Sequence, residues 1–91
     1  MNFVWIKEFR SYLRAMLGWS YFQRKRYKKA SDCFNKSLAL YENSSVYNGL
    51  VDSLLKLKEY DLAIQALERS LKFEESYTAY CELGWLLFYK K

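Results

Sequence analysis

Residues 17–38, LGWSYFQRKRYKKASDCFNKSL, decide the fold of this chain. Apolar and aromatic residues recur at helical spacing on both sides of the polar segment 23–26, which indicates two helices joined by a tight turn. Much the same pattern returns in residues 50–71, and its first half returns again as LGWLLF in residues 83–88. The chain therefore repeats one unit, a helical hairpin.

The repetition is well above chance. Aligning positions 11–58 with positions 44–91 makes 13 of the 48 pairs identical, whereas average composition would give about three. Self-similarity at a period of about 20–50 residues is typical of a solenoid, in which each unit buries its apolar face against its neighbours. We therefore expect an all-α solenoid of antiparallel helical hairpins.

The repeated residues resemble the tetratricopeptide repeat. The unit of that family has a Leu-Gly pair and an aromatic in its first helix, then Tyr, Ala, an aromatic and Ala-Leu in its second. The first copy here has Leu17, Gly18, Tyr21, Tyr27, Ala30, Phe34, Ser37 and Leu38. The second copy has Leu50, Val51, Leu54, Tyr60, Ala63, Leu67, Ser70 and Leu71, and the third has Tyr80, Leu83, Gly84 and Leu87. The chain departs from the family in its period of 33 rather than 34 and in lacking a proline that closes each repeat.

The resemblance implies a right-handed solenoid of about two and a half repeats and five helices. We predict an N-terminal extension of the first helix at 1–10, repeat 1 at 11–43, repeat 2 at 44–76, and a partial third repeat or capping helix at 77–91. The helices are expected at about 3–24, 27–41, 45–57, 60–73 and 76–90. Asn2, Asn43 or Ser44, and Ser76 are the candidate N-caps. Gly18 and Ala30 are expected to oppose each other, so that the two helices of the first hairpin approach closely.

Composition argues against catalysis. The chain has 91 residues and no histidine, which removes the commonest general base and metal ligand. Its three glycines are isolated, so it has no Gly-rich phosphate loop. We predict no enzyme activity, no cofactor and no metal. The two cysteines, Cys33 and Cys81, lack CxxC spacing, so we expect buried free thiols and a cytoplasmic or other reducing compartment.

The resemblance also implies a concave surface lined by the first helix of each repeat. By position, this groove would contain Tyr12, Met16, Trp19, Phe22, Asn48, Asp52, Leu55, Trp85 and Phe88. Some members of the family grip a C-terminal carboxylate with a basic clamp, and the basic residues of that clamp are missing here. Rigid aromatics dominate binding energy in protein interfaces. We therefore expect an adaptor, scaffold or assembly factor that holds an apolar helix or peptide of another protein. The alternative for several of these side chains is burial by adjacent helices.

Charge is distributed unevenly along the chain. Residues 1–36 carry a net charge of +7 and residues 37–91 a net charge of −2, which together give +5. A basic patch is predicted at the first hairpin turn from Arg24, Lys25, Arg26, Lys28 and Lys29. The alternative function is therefore a membrane-peripheral or nucleic-acid-associated module that acts through the basic N-terminal third. A solvated loop edge would explain the same residues.

The last predicted helix is apolar on more than one face. Tyr77, Tyr80, Leu83 and Leu87 are expected on its inner face. A surface for self-association is predicted from Trp85, Leu86, Phe88 and Tyr89. A homodimer through this helix, completion by a helix of a partner, or membership of a longer array would each cover it.

Overall fold

The computed structural model of the protein describes residues 4–90, with side chains from 5 to 89. Within these residues the five predicted helices are confirmed. They are α1 (Val4–Gln23), α2 (Tyr27–Leu40), α3 (Ser44–Lys56), α4 (Tyr60–Phe73) and α5 (Tyr77–Lys90). The predicted N-cap Asn2 lies outside the described residues.

Both hairpins turn through the same backbone motif. Lys25 (φ 63°) and Lys58 (φ 61°) adopt the left-handed conformation just after α1 and α3. In the first turn the Arg26 amide donates to the Tyr21 carbonyl at 2.9 Å, and the Lys25 amide donates to the Phe22 carbonyl at 2.9 Å. These two bonds define a Schellman motif, which satisfies the free carbonyls at the end of a helix. The equivalent two bonds form in the second turn.

Side-chain caps begin the helices that follow each hairpin. Asn43 Oδ1 accepts from the amides of Ser45, at 2.8 Å, and Val46, at 3.4 Å, so Asn43 is confirmed as the N-cap of α3. Ser76 Oγ accepts from the Ala79 amide at 3.4 Å and caps α5 as predicted. Each cap satisfies amides that have no partner within the helix.

Each helix packs against the next one in the chain, and α1 also touches α3. The described chain extends over 50 × 29 × 16 Å. This order of contacts is that of a solenoid of helical hairpins, in which neighbours along the chain supply the core.

Phe34 is the centre of the core. Its side chain is fully buried and its ring lies where a Cβ on Gly18 would come within 2.7 Å of it. The ring also lies 2.8 Å from the position of a Cβ on Gly49, and the Trp19 ring lies 2.9 Å from that same position. The close approach of α1 and α2 was expected to pair Gly18 with Ala30. Gly18 makes room for the Phe34 ring of α2, and Ala30 is fully buried in the same core. The pairing of Gly18 with Ala30 itself stays a prediction.

A buried pair of serines joins α1 to α2. Ser37 Oγ donates to the Ser11 carbonyl at 2.8 Å, and Ser11 Oγ donates to the Ser37 carbonyl at 2.9 Å. The two hydroxyl oxygens are 2.8 Å apart. Serine at position 37, where the family has alanine, therefore adds hydrogen bonds between the helices and leaves neither hydroxyl unsatisfied.

The prediction for the inner face of α5 was wrong for Tyr77, Tyr80 and Leu87 and is confirmed for Leu83, which packs against the core. Ala79 and Leu86 are buried and Leu83 is partly buried, whereas Tyr77, Tyr80 and Leu87 are exposed. The side of α5 that packs on α4 is therefore the Ala79–Leu86 side. Because Leu86 is buried against α4, it cannot contribute to a surface for self-association in the folded chain.

Candidate functional site

An open cleft separates α3 from α5. Helix α5 packs on α4, and no Cα of α5 lies within 8 Å of a Cα of α3. The space between them is a cavity of about 290 Å³ lined by Leu55, Cys81, Glu82, Trp85 and Leu86. We call it the α3–α5 cleft. Its walls are almost wholly apolar, and one acidic side chain reaches into it.

Trp85 is held in place on one wall of the cleft. Its ring stacks on the Tyr89 ring with centroids 5.1 Å apart and an interplanar angle of 8°. Tyr89 in turn meets Tyr60 of α4 edge to face at 6.4 Å. A rigid, exposed aromatic supported from behind loses little conformational entropy when a ligand covers it. Trp85 is therefore well suited to bind an apolar side chain.

Glu82 lines the cleft, and Asp52 of α3 lies near enough to act on it electrostatically. Partial burial raises the pKa of Asp52, against the opposing effect of nearby Lys56. Partial burial also raises the pKa of Glu82, and the negative charge of Asp52 raises it further. Asp52 of α3 and Glu82 of α5 thus lie close enough to repel each other. A cation placed between them would relieve this repulsion.

A second cavity, of about 210 Å³, lies between α1 and the start of α3. Tyr12, Met16 and Trp19 line it, together with Ala15, Asn43, Ser45 and Val46. Trp19 has a structural role as well, since its ring meets Phe34 edge to face at 4.9 Å. Its half-buried ring also occupies the space above Gly49.

The structure divides the predicted groove residues into groups. It brings Leu55 and Trp85 together in the α3–α5 cleft, and Tyr12, Met16 and Trp19 together in the second cavity. Phe22 packs into an aromatic cluster with Trp19 (5.7 Å) and Tyr27 (5.3 Å). Asn48 and Phe88 are exposed. Whether a partner binds these residues stays a prediction.

Other predicted residues can also be located. Cys33 is buried as expected, but Cys81 is exposed in the cleft, so the expectation of two buried thiols was wrong for Cys81.

The predicted self-association residues do not form one surface. Trp85 lines the cleft, and Tyr89 contacts Tyr60 of α4. Phe88 is exposed, at 77 %. Tyr60, which supports Tyr89, was missed as a site residue because no sequence signal links two side chains on different helices.

The predicted basic patch is exposed at the first hairpin turn. Arg24, Lys25, Arg26, Lys28 and Lys29 all lie on the surface. Lys28 pairs with Asp32 at 3.6 Å, and the Lys29 ammonium lies 5.6 Å from the centroid of the Tyr21 ring. The role of the patch stays a prediction.

Family comparison agrees with the fold. Tetratricopeptide repeat models match residues 11–44 and 44–77. The chain belongs to the tetratricopeptide repeat family, and it is a protein–protein interaction module. Members of this family are typically non-enzymatic. A comparison with curated proteins found no match.

Two further observations concern the described residues only. No group of three or more acidic, cysteine or histidine side chains among them is placed to hold a metal ion. In the same part of the chain, no helix combines the length and the apolar character needed to cross a bilayer.

Proposed function

We propose that the protein binds an apolar helix or extended segment of another protein in the α3–α5 cleft, and that the second cavity extends the same concave surface. The single observation that carries this proposal is the cleft itself, an opening of about 290 Å³ between two helices with no Cα atoms within 8 Å of each other. Trp85 forms its rigid wall and Leu55 its apolar floor. Protein–protein interaction modules concentrate binding energy in such aromatic anchors.

The chemistry of the cleft also defines the partner. Asp52 and Glu82 make a lysine or arginine beside the apolar residues the best complement, because a cation placed between the two carboxylates relieves their repulsion. The aliphatic stem of such a side chain would lie along the apolar wall while its head group reaches the carboxylates. The preferred segment therefore combines apolar residues with one basic residue.

Trp85→Ala tests the proposal. Peptides would be selected from a random library on the immobilised wild-type protein, and their affinities measured by titration calorimetry. Loss of a central aromatic anchor typically costs about 2 kcal/mol or more, so Trp85→Ala should weaken the selected peptides by about 30-fold. Trp5→Ala is the matched control, since both tryptophans are 62 % exposed and Trp5 lies on α1, away from the cleft.

Trp85 is a better target than Trp19. The Trp19 ring fills space above Gly49 and against Phe34, so Trp19→Ala would also disturb the core. Equal loss of affinity in Trp85→Ala and Trp5→Ala, or no loss in either, would show that the cleft is not the binding site.

Charge variants test the chemistry of the partner. Asp52→Asn with Glu82→Gln should weaken peptides that carry a lysine or arginine and leave purely apolar peptides unchanged. Glu68→Gln, an exposed carboxylate on α4, is the control. The alternative, binding of nucleic acid or anionic lipid at the basic patch, predicts a different result. Affinity would then fall steeply with salt and would not respond to Trp85→Ala.

A further inference from the structure

Helix α5 has an uncovered face, which we define by Tyr77, Tyr80, Gly84, Leu87 and Phe88. With about 100° of rotation per residue, these positions lie on the side of α5 opposite the Ala79–Leu86 side that packs on α4. All four side chains of this face are exposed. Among the described residues, no helix packs on it.

The repeat shows what such a face normally does. Tyr80 corresponds to Tyr47 of α3 in the preceding repeat, and Leu87 corresponds to Leu54. Tyr47 is 0 % exposed and Leu54 is 6 % exposed, whereas Tyr80 is 51 % and Leu87 is 49 % exposed. In α3 these positions are covered by neighbouring helices. The uncovered face of α5 therefore has the composition of a helix–helix interface.

Gly84 strengthens this interpretation. The equivalent Gly18 approaches the Phe34 ring of α2 so closely that a Cβ would lie 2.7 Å from it, but a Cβ on Gly84 would meet nothing within 4 Å. Glycine within a helix costs about 1 kcal/mol relative to alanine. This cost is compensated when another helix packs closely against the glycine.

We propose that the uncovered face is occupied by α5 of a second copy of this chain, packed antiparallel about a two-fold axis near Gly84. Gly84 lies at the middle of α5 (Tyr77–Lys90), so the two backbones can approach closely where the helices cross. Residues equally spaced on either side of Gly84 then face each other. Tyr80 of one copy therefore packs on Phe88 of the other.

Charge complementarity selects this occupant. In the sequence, Glu74 and Glu75 precede α5, and Lys90 and Lys91 stand at its other end. Antiparallel packing brings the acidic end of each helix beside the basic end of the other, which also opposes the two helix dipoles favourably. A two-fold contact of this kind uses the same surface on both copies and closes on itself, so it gives a dimer rather than a filament.

The dimer is tested first by sedimentation equilibrium of the full chain. At high micromolar concentration the wild type should approach twice the chain mass of 11.0 kDa. Leu87→Glu should give a monomer, because two charges would be buried in the contact. The matched control is Leu13→Glu, since Leu13 of α1 is exposed to the same extent, 49 %. This control should still dimerise.

Cross-linking tests the axis itself. In a Cys81→Ser background, Gly84→Cys should form a disulfide-linked dimer under mild oxidation, since residues on a two-fold axis lie closest to their copies. Tyr77→Cys in the same background should not cross-link, because residue 77 lies seven residues from the axis in each copy, which places the two cysteines about 20 Å apart along the helices. The Gly84 site has open space around it, so the cysteine introduces no clash within one chain.

Three results would overturn the proposal. A wild-type monomer at high micromolar concentration would show that a second copy does not cover this face. Loss of association in both leucine variants, with masses above that of a dimer in the wild type, would indicate α1-to-α5 stacking instead. Efficient cross-linking of Tyr77→Cys alone would place the contact in another register. Trp85→Ala should leave the dimer intact, so failure here and failure of the proposed binding cleft are separable.

Discussion

At the residue scale, small residues matter through the space that they leave. Gly18 and Gly49 both border the fully buried Phe34 ring, and Trp19 closes over Gly49. Phe34 thus contacts the first helix of its own repeat and the first helix of the next one. The same sequence feature, glycine in the first helix, has a different consequence at Gly84, where nothing fills the space.

Alanine substitution should therefore have opposite effects at two equivalent glycines. Gly18→Ala places a methyl within 3 Å of a buried ring, and overpacking of this kind costs about 1–3 kcal/mol, which exceeds the gain in helix propensity. Gly84→Ala meets no neighbour and should stabilise the monomer by about 1 kcal/mol. Urea denaturation at low micromolar protein concentration measures both. A destabilised Gly84→Ala monomer would contradict the structure.

At the element scale, the two hairpin turns are the clearest local departure from an ideal sequence. Lys25 and Lys58 occupy the left-handed position that ends α1 and α3, where glycine is the usual residue. The turns form nonetheless, because the Schellman hydrogen bonds and the packing of the following helix determine the backbone. Both lysines are exposed.

Glycine at either position should stabilise the fold. Lys25→Gly and Lys58→Gly remove the steric cost of a side chain in the left-handed region, about 1–2 kcal/mol. The greater flexibility of glycine in the unfolded chain offsets part of this gain, so we expect a net increase of about 0.5–1 kcal/mol in the free energy of unfolding for each. Lys36→Gly, in the middle of α2, is the control and should lose about 1 kcal/mol. Thermal or urea denaturation distinguishes the two directions.

At the scale of the whole molecule, the helices differ in how many neighbours they pack against. Helix α3 packs between α2 and α4 and also touches α1, whereas α5 packs on α4 alone within the described residues. In solenoids, stability is roughly a sum over such neighbouring interfaces. The α3–α5 cleft lies where no Cα atom of α5 comes within 8 Å of a Cα atom of α3.

Hydrogen exchange should follow this arrangement. Amides of α3 should open only with global unfolding, and amides of α5 should exchange through a local opening of lower free energy. The measurement should be made at low concentration, so that any self-association does not protect α5. Equal protection in α3 and α5 of the monomer would mean that the stack unfolds as a single unit.

Asp52 and Glu82 should make stability depend on pH. The pKa values of Asp52 and Glu82 are raised in the folded protein, so the folded state binds these protons more tightly than the unfolded chain does. Stability therefore falls as pH rises from the ordinary carboxyl range through the raised pKa values. Asp52→Asn should be more stable than the wild type at pH 7, and this advantage should disappear below the ordinary pKa of 3.8.

Denaturation of both proteins across this pH range measures the effect. Glu68→Gln, which removes a carboxylate outside the cleft, should not reproduce it. The same Asp52→Asn change is expected to weaken binding of a basic peptide, so stability and binding should change in opposite directions.

Much of the fold could be predicted from the sequence. The internal repeat, the polar breaks and the cap Asn43 determine five helices and their order, because helix formation and capping depend on residues a few positions apart. The expectation that α2 approaches α1 closely at Gly18 was also correct, because the Phe34 ring of α2 lies beside that glycine. The inner face of α5 was predicted wrongly for three residues, because it was assigned from the repeat positions of the family. Those positions are buried only where another helix packs on them.

What the sequence alone determined is therefore the set of helices, their hairpin pairing and the family. Only the tertiary structure decided that Phe34 fills the space at Gly18 while Gly84 stays open, that Leu86 is buried, and that Glu82 lines a cleft with the charge of Asp52 nearby. The physical reason is the distance along the chain over which each feature acts. Periodicity and caps act along the chain, whereas cavities, charge repulsion and uncovered faces depend on the distances between helices, which only packing sets.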